Sequence, residues 1–492
     1  MPIAWLATYL LEALFYSSPL LWRFRRAFAL LLIFITIVVT SLFIHELGML
    51  FGIPMGILAL FRVGNLARIL KSRMHSEYLR QSVKRTAWWL LVGHDVALWG
   101  FIIPVIVVPA QSLVVMQASL AAVSLILFLI TVKNIRKLRF MAPSSFLTDQ
   151  ELPTVTVAIP ARNETTDLEE CLRSVLANDY PKLEVIVLDD CSRGKTAEII
   201  RSFAHDGVRF IPGLPPEERW LAKNQAYQHL YQEASGELIL FCGVDARFGT
   251  TAIRSMVNVL ASRNKSMLSV LPERDNSTTR AGFLQPMRYW WELSLPRRLF
   301  NRPAVLSTCW AIGREDLKKL GGFGAVSHSI TPEAYFAREL VKTDQYSFIR
   351  SCNDLRVFTA KRLSDQWSTT IRTRYPQLRR RPEWILTLLT AEIGFLLLPF
   401  VLLVGSIWWQ SINMWAMVFT CVVLAITHIH IVMTTNPANG LLSVFNFPIA
   451  ALSEVIVTFV SMIQYEYFTI SWKDRNICIP VMHVYPRLPY EK

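Results

Sequence analysis

The sequence predicts an α/β domain inserted between two groups of membrane helices, on three observations. Apolar runs long enough to cross a bilayer occur towards both ends of the chain, which has 492 residues and 52% hydrophobic content. Between residues 150 and 384, short apolar runs alternate with amphipathic stretches, a pattern typical of βαβ units. Lysine and arginine cluster beside the apolar runs and give a net charge of +14. This distribution is typical of membrane flanks, so we expect a membrane as a partner and no nucleic acid.

These patterns predict four regions. They are an N-terminal membrane region at 1–135, the α/β domain at 150–384, a C-terminal membrane region at 385–465 and a tail at 466–492. The seven cysteines are scattered without CxxC spacing, so neither a zinc site nor a disulfide framework is indicated.

The N-terminal membrane region is expected to hold three to five transmembrane or re-entrant helices. Residues 3–22 are apolar but contain Glu12, so a first span and an interfacial helix both remain open. The remaining apolar runs are 27–44, 48–61, 86–110 and 112–132. The second of these is short and is predicted to be the second arm of a helical hairpin. Basic residues between 62 and 85 place that loop in the cytoplasm. His94 and Asp95 fit either a functional intramembrane pair or a helix end at the interface.

A predicted strand at residues 154–159 organises the α/β domain. Its residues are β-branched or small and mostly apolar, as in a strand covered on both faces. Pro160 is expected to end the ladder because proline has no N–H to donate. Arg162 and Glu164 follow at the carboxyl end, where open α/β sheets bind their ligands. Further strands are predicted at 183–188, 208–211 and 237–241, and helices at 167–177 and from 220 onward.

Acidic residues follow three of these strands. They are Glu164, Asp189, Asp190 and Asp245. Because parallel strands end at one edge of a sheet, these residues are expected to lie close together. Such an edge can hold the ribose and base of a nucleotide, and a divalent cation with its diphosphate. Each residue alone is usually a helix cap or loop residue, so the prediction depends on the set.

Four motifs follow one another through this part of the domain: PARNE at 160–164, VLDDCS at 187–192, LAKNQA at 221–226 and FCGVDARF at 241–248. As an ordered set they resemble the donor half of a family 2 GT-A glycosyltransferase. Later segments resemble the family's acceptor-side strand, the helix with its catalytic acid pair, the Gln-x-x-Arg-Trp motif of membrane members, and a Trp-Lys-Gly-Arg ending. These segments are 307–323, 330–340, 371–375 and 472–475. The ending is similar to that of carotenoid and hopanoid-pathway lipid glycosyltransferases, relatives of the cellulose and hyaluronan synthase group.

The resemblance implies a fold and a set of roles. The fold would be a GT-A domain, the nucleotide-diphospho-sugar transferase fold, set between N- and C-terminal transmembrane helix bundles. The donor-binding residues would be Pro160, Ala161, Arg162, Glu164, Asp189, Asp190, Lys223, Asp245, Arg372 and Arg374. Within this set, Lys223 would neutralise part of the diphosphate, and the last two arginines would lie near the leaving diphosphate. Asp245 would also be the metal ligand, holding Mg²⁺ or Mn²⁺. Glu333 would be the catalytic base that deprotonates the acceptor hydroxyl for an inverting displacement.

Three departures from the family pattern bear on activity and acceptor. Gly243 stands where the metal-binding DxD motif has its first Asp. In the catalytic pair, Pro332 and Glu333 replace an acidic residue and an Asp. Ile371 and Tyr375 replace the Gln and Trp of the motif on which polysaccharide synthases depend. We therefore expect transfer from a nucleotide sugar, UDP-linked, to a membrane lipid or lipid-linked acceptor. A processive polysaccharide synthase and a catalytically impaired sugar-nucleotide-binding scaffold remain the alternatives.

Three further apolar runs, at 385–408, 414–433 and 441–462, predict two or three C-terminal helices. An arginine triplet at 379–381 marks a cytoplasmic face, as expected for a bacterial plasma-membrane protein with a cytoplasmic catalytic domain. Three crossings would nevertheless place Lys473 and Arg475 outside, against the charge rule. Either one helix is re-entrant, with Pro448 as its suspected break, or the tail is external. The aromatic and basic run at 287–298 fits either a guide for a lipid acceptor or a helix lying on the membrane surface.

Overall fold

The computed structural model describes most of the chain in two compact units. The described ranges are 24–71, 109–140, 146–274, 287–294 and 303–476, with gaps at 48, 218–219, 379, 381, 438–439, 441–442, 444, 469 and 474, plus a few positions among the first 22. The first unit comprises Met1–Ser119, Leu378–Gly394 and Val401–Ala416, and the second comprises the rest. Predictions for His94, Asp95, the basic loop beyond residue 71 and almost all of the arm at 86–110 lie outside the described residues.

In the first unit, two long apolar helices follow one another and pack together, α1 (Arg25–Leu47) and α2 (Met49–Lys71). The second helix is longer than the arm predicted to end near residue 61. The reason is Arg62, which does not begin a loop. Its side chain is buried, and its Nε donates to Oε2 of Glu12 at 2.9 Å. Because a buried charge is tolerated when it is paired, the helix continues through this position.

The next helix, α3 (Pro109–Lys137), precedes the α/β domain in the sequence. The elements of the domain in chain order are β1 (Val155–Ala161), α4 (Thr166–Leu176), β2 (Leu183–Asp189), α5 (Thr196–Ser202), β3 (Val208–Pro212), α6 (Ala222–Glu233), β4 (Leu238–Cys242), β5 (Ala246–Phe248), α7 (Ala252–Ser262), β6 (Met267–Leu271), β7 (Glu273–Arg274), α8 (Arg288–Leu293), β8 (Cys309–Gly313), α9 (Arg314–Lys319), α10 (Pro332–Lys342), β9 (Tyr346–Arg350), β10 (Val357–Thr359) and α11 (Leu363–Gln377). The predicted strands and helices lie within one or two residues of those observed.

The main sheet has seven strands in the order β3-β2-β1-β4-β8-β6-β9, and a smaller sheet has the order β5-β10-β7. Strands β1 to β4 are mutually parallel, whereas β8 runs antiparallel to both of its neighbours, β4 and β6. The sheet as a whole is therefore mixed, and the parallel half contains the predicted strands. Open sheets of this kind bind ligands where the strand order reverses, which here is next to β1.

Side chains of the central strand β1 alternate between two apolar cores. Val157 and Ile159 belong to one buried cluster with residues of α4 and α7. Ala158 belongs to a second cluster with residues of α6 and α10. Each face of the sheet therefore packs against helices, which is why this strand reads as a continuous apolar run. The same packing fixes the register of β1 and hence the position of the loop that follows it.

Strand β1 extends two residues further than predicted. Pro160 was expected to end the ladder, but it pairs with Leu188, and Ala161 pairs with Asp189. The reason is that β4 pairs with β1 only from Val155 to Ala158. Pro160 therefore lies where β1 has one neighbour instead of two, a position that tolerates a missing N–H.

The C-terminal elements are α12 (Pro382–Glu392), α13 (Leu398–Gly405), α14 (Met414–Thr435), α15 (Phe447–Tyr467) and a hairpin of β11 (Ser471–Trp472) and β12 (Arg475–Asn476), with a π-helical turn at Ile393–Leu397 between the first two. Pro448 lies in the first turn of α15, so it begins this helix and does not break one. Five stretches of the described helices are long and apolar enough to cross a membrane, which is the composition of an integral membrane protein. They are Arg25–Leu42, Leu113–Lys137, Thr387–Gly405, Met414–Thr435 and Phe447–Glu466.

Candidate active site

The candidate site lies at the carboxyl ends of β1, β2 and β4, which are neighbours in the sheet. Pro160 and Ala161 are the last residues of β1, and Asp189 is the last residue of β2. Because these parallel strands end at one edge, the loops that follow them meet there. The residues carried by these loops include Arg162, Glu164, Asp190 and Asp245.

The loops after β1 and β2 are joined by hydrogen bonds. Asn163 has a left-handed φ of 49°, a conformation that Asn adopts more readily than most residues. Its backbone N–H donates to Oγ of Ser192 at 2.9 Å, and its Oδ1 accepts from the backbone N–H of Arg193 at 2.9 Å. The N–H of Glu164 donates to Oγ1 of Thr196 at 2.9 Å. The two loops therefore form one preorganised polar surface.

Arg162 is the buried centre of this surface. Its Nη1 donates to the backbone carbonyls of Asp190 at 2.5 Å and Cys191 at 3.0 Å. Its Nε donates to the backbone carbonyl of Lys473, in the C-terminal hairpin, at 2.9 Å. The guanidinium thus connects three segments that are far apart in the sequence, and its charge lies beside the predicted nucleoside-binding carboxylates.

Two of these carboxylates are paired with cations from the same hairpin. Nη1 of Arg475 lies 2.7 Å from both carboxylate oxygens of Asp190. Lys473 forms an ion pair with Glu164. Burial raises the pKa of both carboxyl groups above their ordinary values, and it outweighs the lowering effect of the two cations. Burial therefore has a larger effect on these two carboxyl groups than the cations paired with them.

Asp245 follows β4 and is held by the smaller sheet. Its Oδ2 accepts a hydrogen bond from Oγ1 of Thr359 at 3.0 Å, and its carbonyl accepts from the N–H of Ala360 at 2.9 Å. A Cβ atom at Gly243 would lie 2.5 Å from Oδ1 of Asp245. Glycine at 243 therefore leaves the space that the Asp245 carboxylate uses. The carboxylate is a hard oxygen ligand of the kind that Mg²⁺ and Mn²⁺ prefer.

Lys223 and Glu333 lie on the opposite side of the sheet from α4. Nζ of Lys223, in the first turn of α6, lies 5.1 Å from the centre of the Tyr227 ring. Glu333, in the first turn of α10, is 3% exposed. Burial raises the pKa of Tyr227 well above its ordinary value. The nearby Glu333 carboxylate adds to this effect, and Cys242 and Asp245 add less. The buried Tyr227 therefore lies within electrostatic reach of both predicted reactive carboxylates.

Asn224 positions the segment before α10 and was not identified from the sequence. Its buried Nδ2 donates to three backbone carbonyls, those of Val326 at 2.8 Å, Ser327 at 3.1 Å and Ser329 at 2.7 Å. These contacts fix the loop that leads to Glu333. The only signal in the sequence was the position of Asn224 inside LAKNQA, next to Lys223. Thr359 was also missed, since it lies 114 residues from the Asp245 carboxylate that it holds.

The two arginines predicted near the leaving diphosphate lie on α11, which packs along α15. The Arg372 carbonyl accepts a hydrogen bond from the Tyr465 hydroxyl at 2.7 Å. The Arg374 guanidinium is buried, forms an ion pair with Glu454 and lies 4.3 Å from the Trp291 ring centre. These contacts give Arg374 a structural role, and its role at a diphosphate stays a prediction.

A buried arginine and carboxylates at three neighbouring strand ends suit a nucleotide at a sheet edge. Together with the mixed seven-stranded sheet, these features define a class: the domain has the GT-A fold of nucleotide-diphospho-sugar transferases.

Residues 156–321 match the family model described as Glycosyl transferase family 2. The α/β domain therefore belongs to glycosyltransferase family 2, and the expected fold and family are confirmed.

Several curated proteins are similar over this region. The Bacillus subtilis protein named Probable glycosyltransferase YdaM is 27% identical over 184 residues, covering 35% of this chain and 44% of the relative. The 4,4'-diaponeurosporenoate glycosyltransferase of Staphylococcus aureus is 28% identical over 132 residues, covering 26% and 34%. Glycosyltransferase AglE of Haloferax volcanii is 33% identical over 98 residues, covering 19% and 31%. The chain thus spans less than half the length of each of these relatives.

Among solved structures, the mannosyltransferase PcManGT from Pyrobaculum calidifontis, in complex with GDP-Man and Mn²⁺, is similar with a TM-score of 0.44. It is 18% identical and the match covers 71% of this chain and 97% of that one.

Proposed function

We propose that the protein is a membrane glycosyltransferase. It transfers a sugar from a nucleotide donor, UDP-linked, to a membrane lipid or lipid-linked acceptor with inversion at the anomeric carbon. The catalytic region is residues 150–384, on the cytoplasmic side of a bacterial plasma membrane. The single observation that carries the proposal is the meeting of Arg162, Asp190 and Asp245 at adjacent strand ends inside a family 2 domain.

In this proposal the loops after β1 and β2 bind the nucleoside, and Lys223 offsets part of the diphosphate charge. A divalent cation would be held by Asp245. Among the described residues no group of three or more potential ligands from His, Cys, Asp and Glu comes together. The site therefore fits a cation that takes one protein carboxylate and most of its other ligands from donor phosphates and water, as Mg²⁺ commonly does. Such a cation would neutralise charge on the leaving diphosphate.

Glu333 is the proposed general base. Its carboxylate takes the proton of the acceptor hydroxyl while the hydroxyl oxygen attacks the anomeric carbon. The bond from that carbon to the phosphate oxygen breaks in the same step, and the nucleoside diphosphate leaves. The first turn of α10 holds Glu333, and Asn224 fixes the loop before it, so the carboxylate is preorganised.

A lipid acceptor is favoured over a growing polysaccharide by two observations. The Gln-x-x-Arg-Trp motif is altered at Ile371 and Tyr375. One relative is named for transfer to 4,4'-diaponeurosporenoate. A processive synthase would instead release long chains, which a product-length measurement distinguishes.

The C-terminal hairpin supports a specific membrane topology. Since it contacts the loops after β1 and β2, it lies on the same side of the membrane as the α/β domain. Of the three C-terminal candidate spans, Thr387–Gly405, Met414–Thr435 and Phe447–Glu466, an even number then crosses. We propose that α15 is the one that does not cross, because it lies along α11 and pairs its Glu454 with Arg374. Cysteine labelling from outside intact cells tests the side of the hairpin: reaction of a cysteine introduced at 471 would contradict its placement with the α/β domain. Labelling of a cysteine introduced at Gln410, between α13 and α14, tests the choice of α15: if α15 is the one that does not cross, this position is external and reacts.

The second candidate function is a sugar-nucleotide-binding scaffold without turnover, which the Gly in place of the first DxD Asp favours. The test is incubation of the purified protein and native lipid extract with radiolabelled nucleotide sugars. Transfer or hydrolysis of a donor supports the enzyme. Donor binding without either reaction supports the scaffold.

A further inference from the structure

We propose that the C-terminal hairpin, residues 471–476, is a built-in competitor of the donor nucleoside that occupies its pocket until a donor displaces it. This rests on the proposed function and adds a regulatory device to it. The hairpin consists of β11 and β12, which pair at Ser471 with Asn476 and at Trp472 with Arg475. Lys473 forms its turn, with a left-handed φ of 49°.

Arg475 covers the carboxylate and the backbone carbonyl of Asp190. Its Nη1 lies 2.7 Å from each carboxylate oxygen, and its Nη2 donates to the backbone carbonyl of Asp190 at 3.3 Å. The Asp190 side chain is 7% exposed and that of Arg475 is 17% exposed. An N–H donor of a nucleobase therefore cannot reach this carboxylate unless Arg475 moves away.

Lys473 makes the equivalent contact with the other loop. Its ammonium pairs with Glu164, and its carbonyl accepts the hydrogen bond from Nε of Arg162. The hairpin thus engages one charged residue from the β2 loop and two from the β1 loop. All three are predicted donor-binding residues, so the hairpin and the nucleoside use the same groups.

The hairpin is attached in a way that allows exchange. Its base is anchored by Ile470, which packs with Leu221 directly before α6. The rest of the hairpin, in contrast, is held by two ion pairs and by two hydrogen bonds to backbone carbonyls, those of Asp190 and Lys473. Removing such ions from water costs free energy that the pairing repays only in part, consistent with burial raising the pKa of both carboxyl groups. A ligand that supplies N–H and O–H donors can replace the cations without leaving either carboxylate unsatisfied.

The expected consequence is a reduced apparent donor affinity. When the binding-competent state is populated to a fraction f, the apparent dissociation constant is the intrinsic one divided by f. Variants that weaken the hairpin contact raise f. They should therefore bind a nucleoside diphosphate more tightly than the parent. If the hairpin instead completed the pocket, the same variants would bind the diphosphate more weakly than the parent.

The test uses the full-length protein in detergent and titrates UDP, GDP and CDP separately, each with Mg²⁺, by calorimetry. Arg475→Gln should lower the dissociation constant about tenfold, and Lys473→Gln should lower it by less. Arg475→Lys, which keeps the charge but loses the fork geometry, should fall between Arg475→Gln and the parent. Arg173→Gln is the matched control, since that side chain is 73% exposed on α4 and should change nothing.

Amide hydrogen exchange over 471–476 gives a second readout that needs no ligand. Exchange there should be faster in Arg475→Gln than in the parent, and faster in the parent with the bound diphosphate than without it. Equal or weaker binding by Arg475→Gln would overturn the competitor while leaving the proposed function intact. Binding of none of the three diphosphates by parent or variants would overturn the proposed function, and the competitor with it.

Discussion

Arg374 and Glu454 form a buried ion pair that joins the α/β domain to the last long helix. Nε of Arg374 donates to Oε1 of Glu454 at 2.5 Å, and each side chain is 1% exposed. The same Oε1 accepts the indole N–H of Trp291 at 3.0 Å. Next to it, the indole N–H of Trp290 donates to Nδ1 of His428 at 3.0 Å. Helix α8 is thereby connected to α11, α14 and α15, and a role of the run at 287–298 in guiding a lipid acceptor stays a prediction.

Removing one partner of this pair should be strongly destabilising. Glu454→Gln leaves the Arg374 guanidinium buried without its counter-charge, and we expect a loss of about 3–5 kcal/mol in the free energy of unfolding. Chemical denaturation of the detergent-solubilised protein measures it. The double variant Arg374→Met with Glu454→Leu should be less destabilised than either single variant, because no charge is stranded. Equal stability of Glu454→Gln and the parent would contradict the burial of this pair.

Gly243 should be required for the conformation of Asp245. In Gly243→Ala the new Cβ would meet Oδ1 of Asp245, so the carboxylate must rotate away from Thr359. Because disturbing an outer partner of a metal ligand typically costs about 10–100-fold in metal affinity, we expect a loss of this size in Mg²⁺-dependent UDP binding. Thr359→Val should give a similar loss.

The matched control for that experiment is Gly324→Ala, since a Cβ at Gly324 meets no atom within 4 Å. Gly243→Asp restores the first Asp of the family's DxD motif. It should also weaken Mg²⁺-dependent UDP binding, because it adds the same Cβ atom. A gain in metal-dependent affinity in Gly243→Asp would show that the site simply lacks a carboxylate.

Glu184 should stabilise the fold in a pH-dependent way. Burial alone would raise the pKa of Glu184, but hydrogen bonds to Oε2 from Oγ1 of Thr156 at 2.6 Å and from the N–H of Ser235 at 2.9 Å lower it below its ordinary value of 4.5. A carboxyl group with a lowered pKa in the folded state contributes stability above its unfolded pKa. That contribution to stability is lost as the pH falls through the pKa that the group has in the folded state.

Glu184→Gln should therefore cost about 1 kcal/mol at pH 7, and the difference from the parent should shrink below pH 4.5. Denaturation curves at a series of pH values measure this difference. Glu169→Gln, on the exposed side of α4, is the control and should change stability by less than about 0.5 kcal/mol. A difference independent of pH would mean that the Glu184 charge contributes nothing.

Glu333 should affect turnover but not donor binding. A general base contributes about 10²- to 10⁴-fold, so Glu333→Gln should lower kcat by that factor with the donor affinity nearly unchanged. Glu333→Asp should keep part of the activity if its shorter reach is the only difference. Single-turnover kinetics with the donor found to be active measure both effects. A parental rate in Glu333→Gln would assign the base to another residue.

Local sequence patterns predicted the strands of the donor half and most of the residues around them. The apolar run of β1 and the motifs after β1, β2 and β4 depend on neighbours in the chain, which a sequence displays directly. The contact of Arg475 with Asp190 joins residues 285 positions apart, and no local pattern reports it. The pairing of Arg62 with Glu12, 50 positions apart, was missed for the same reason, and α2 was therefore predicted too short.

Pro160 shows a different limit of predicting structure from sequence. The rule that proline ends a ladder assumes a neighbour on both sides, and the sequence does not say that β4 stops pairing at Ala158. Similarly, the sequence shows that Gly243 replaces an Asp but not that the Asp245 carboxylate occupies the space left free. These positions depend on sheet pairing and side-chain packing, which appear only in three dimensions.

The most direct test of the central claim is transfer of radiolabel into lipid. The purified protein is incubated with native lipid extract, Mg²⁺ and each of a panel of radiolabelled nucleotide sugars, and the organic phase is counted. We predict that one donor labels the lipid phase, that chelation of the cation abolishes the label, and that Asp245→Asn loses it while remaining folded. Absence of both transfer and hydrolysis with every donor, by a protein that still binds a nucleoside diphosphate, would contradict the enzyme and leave the scaffold.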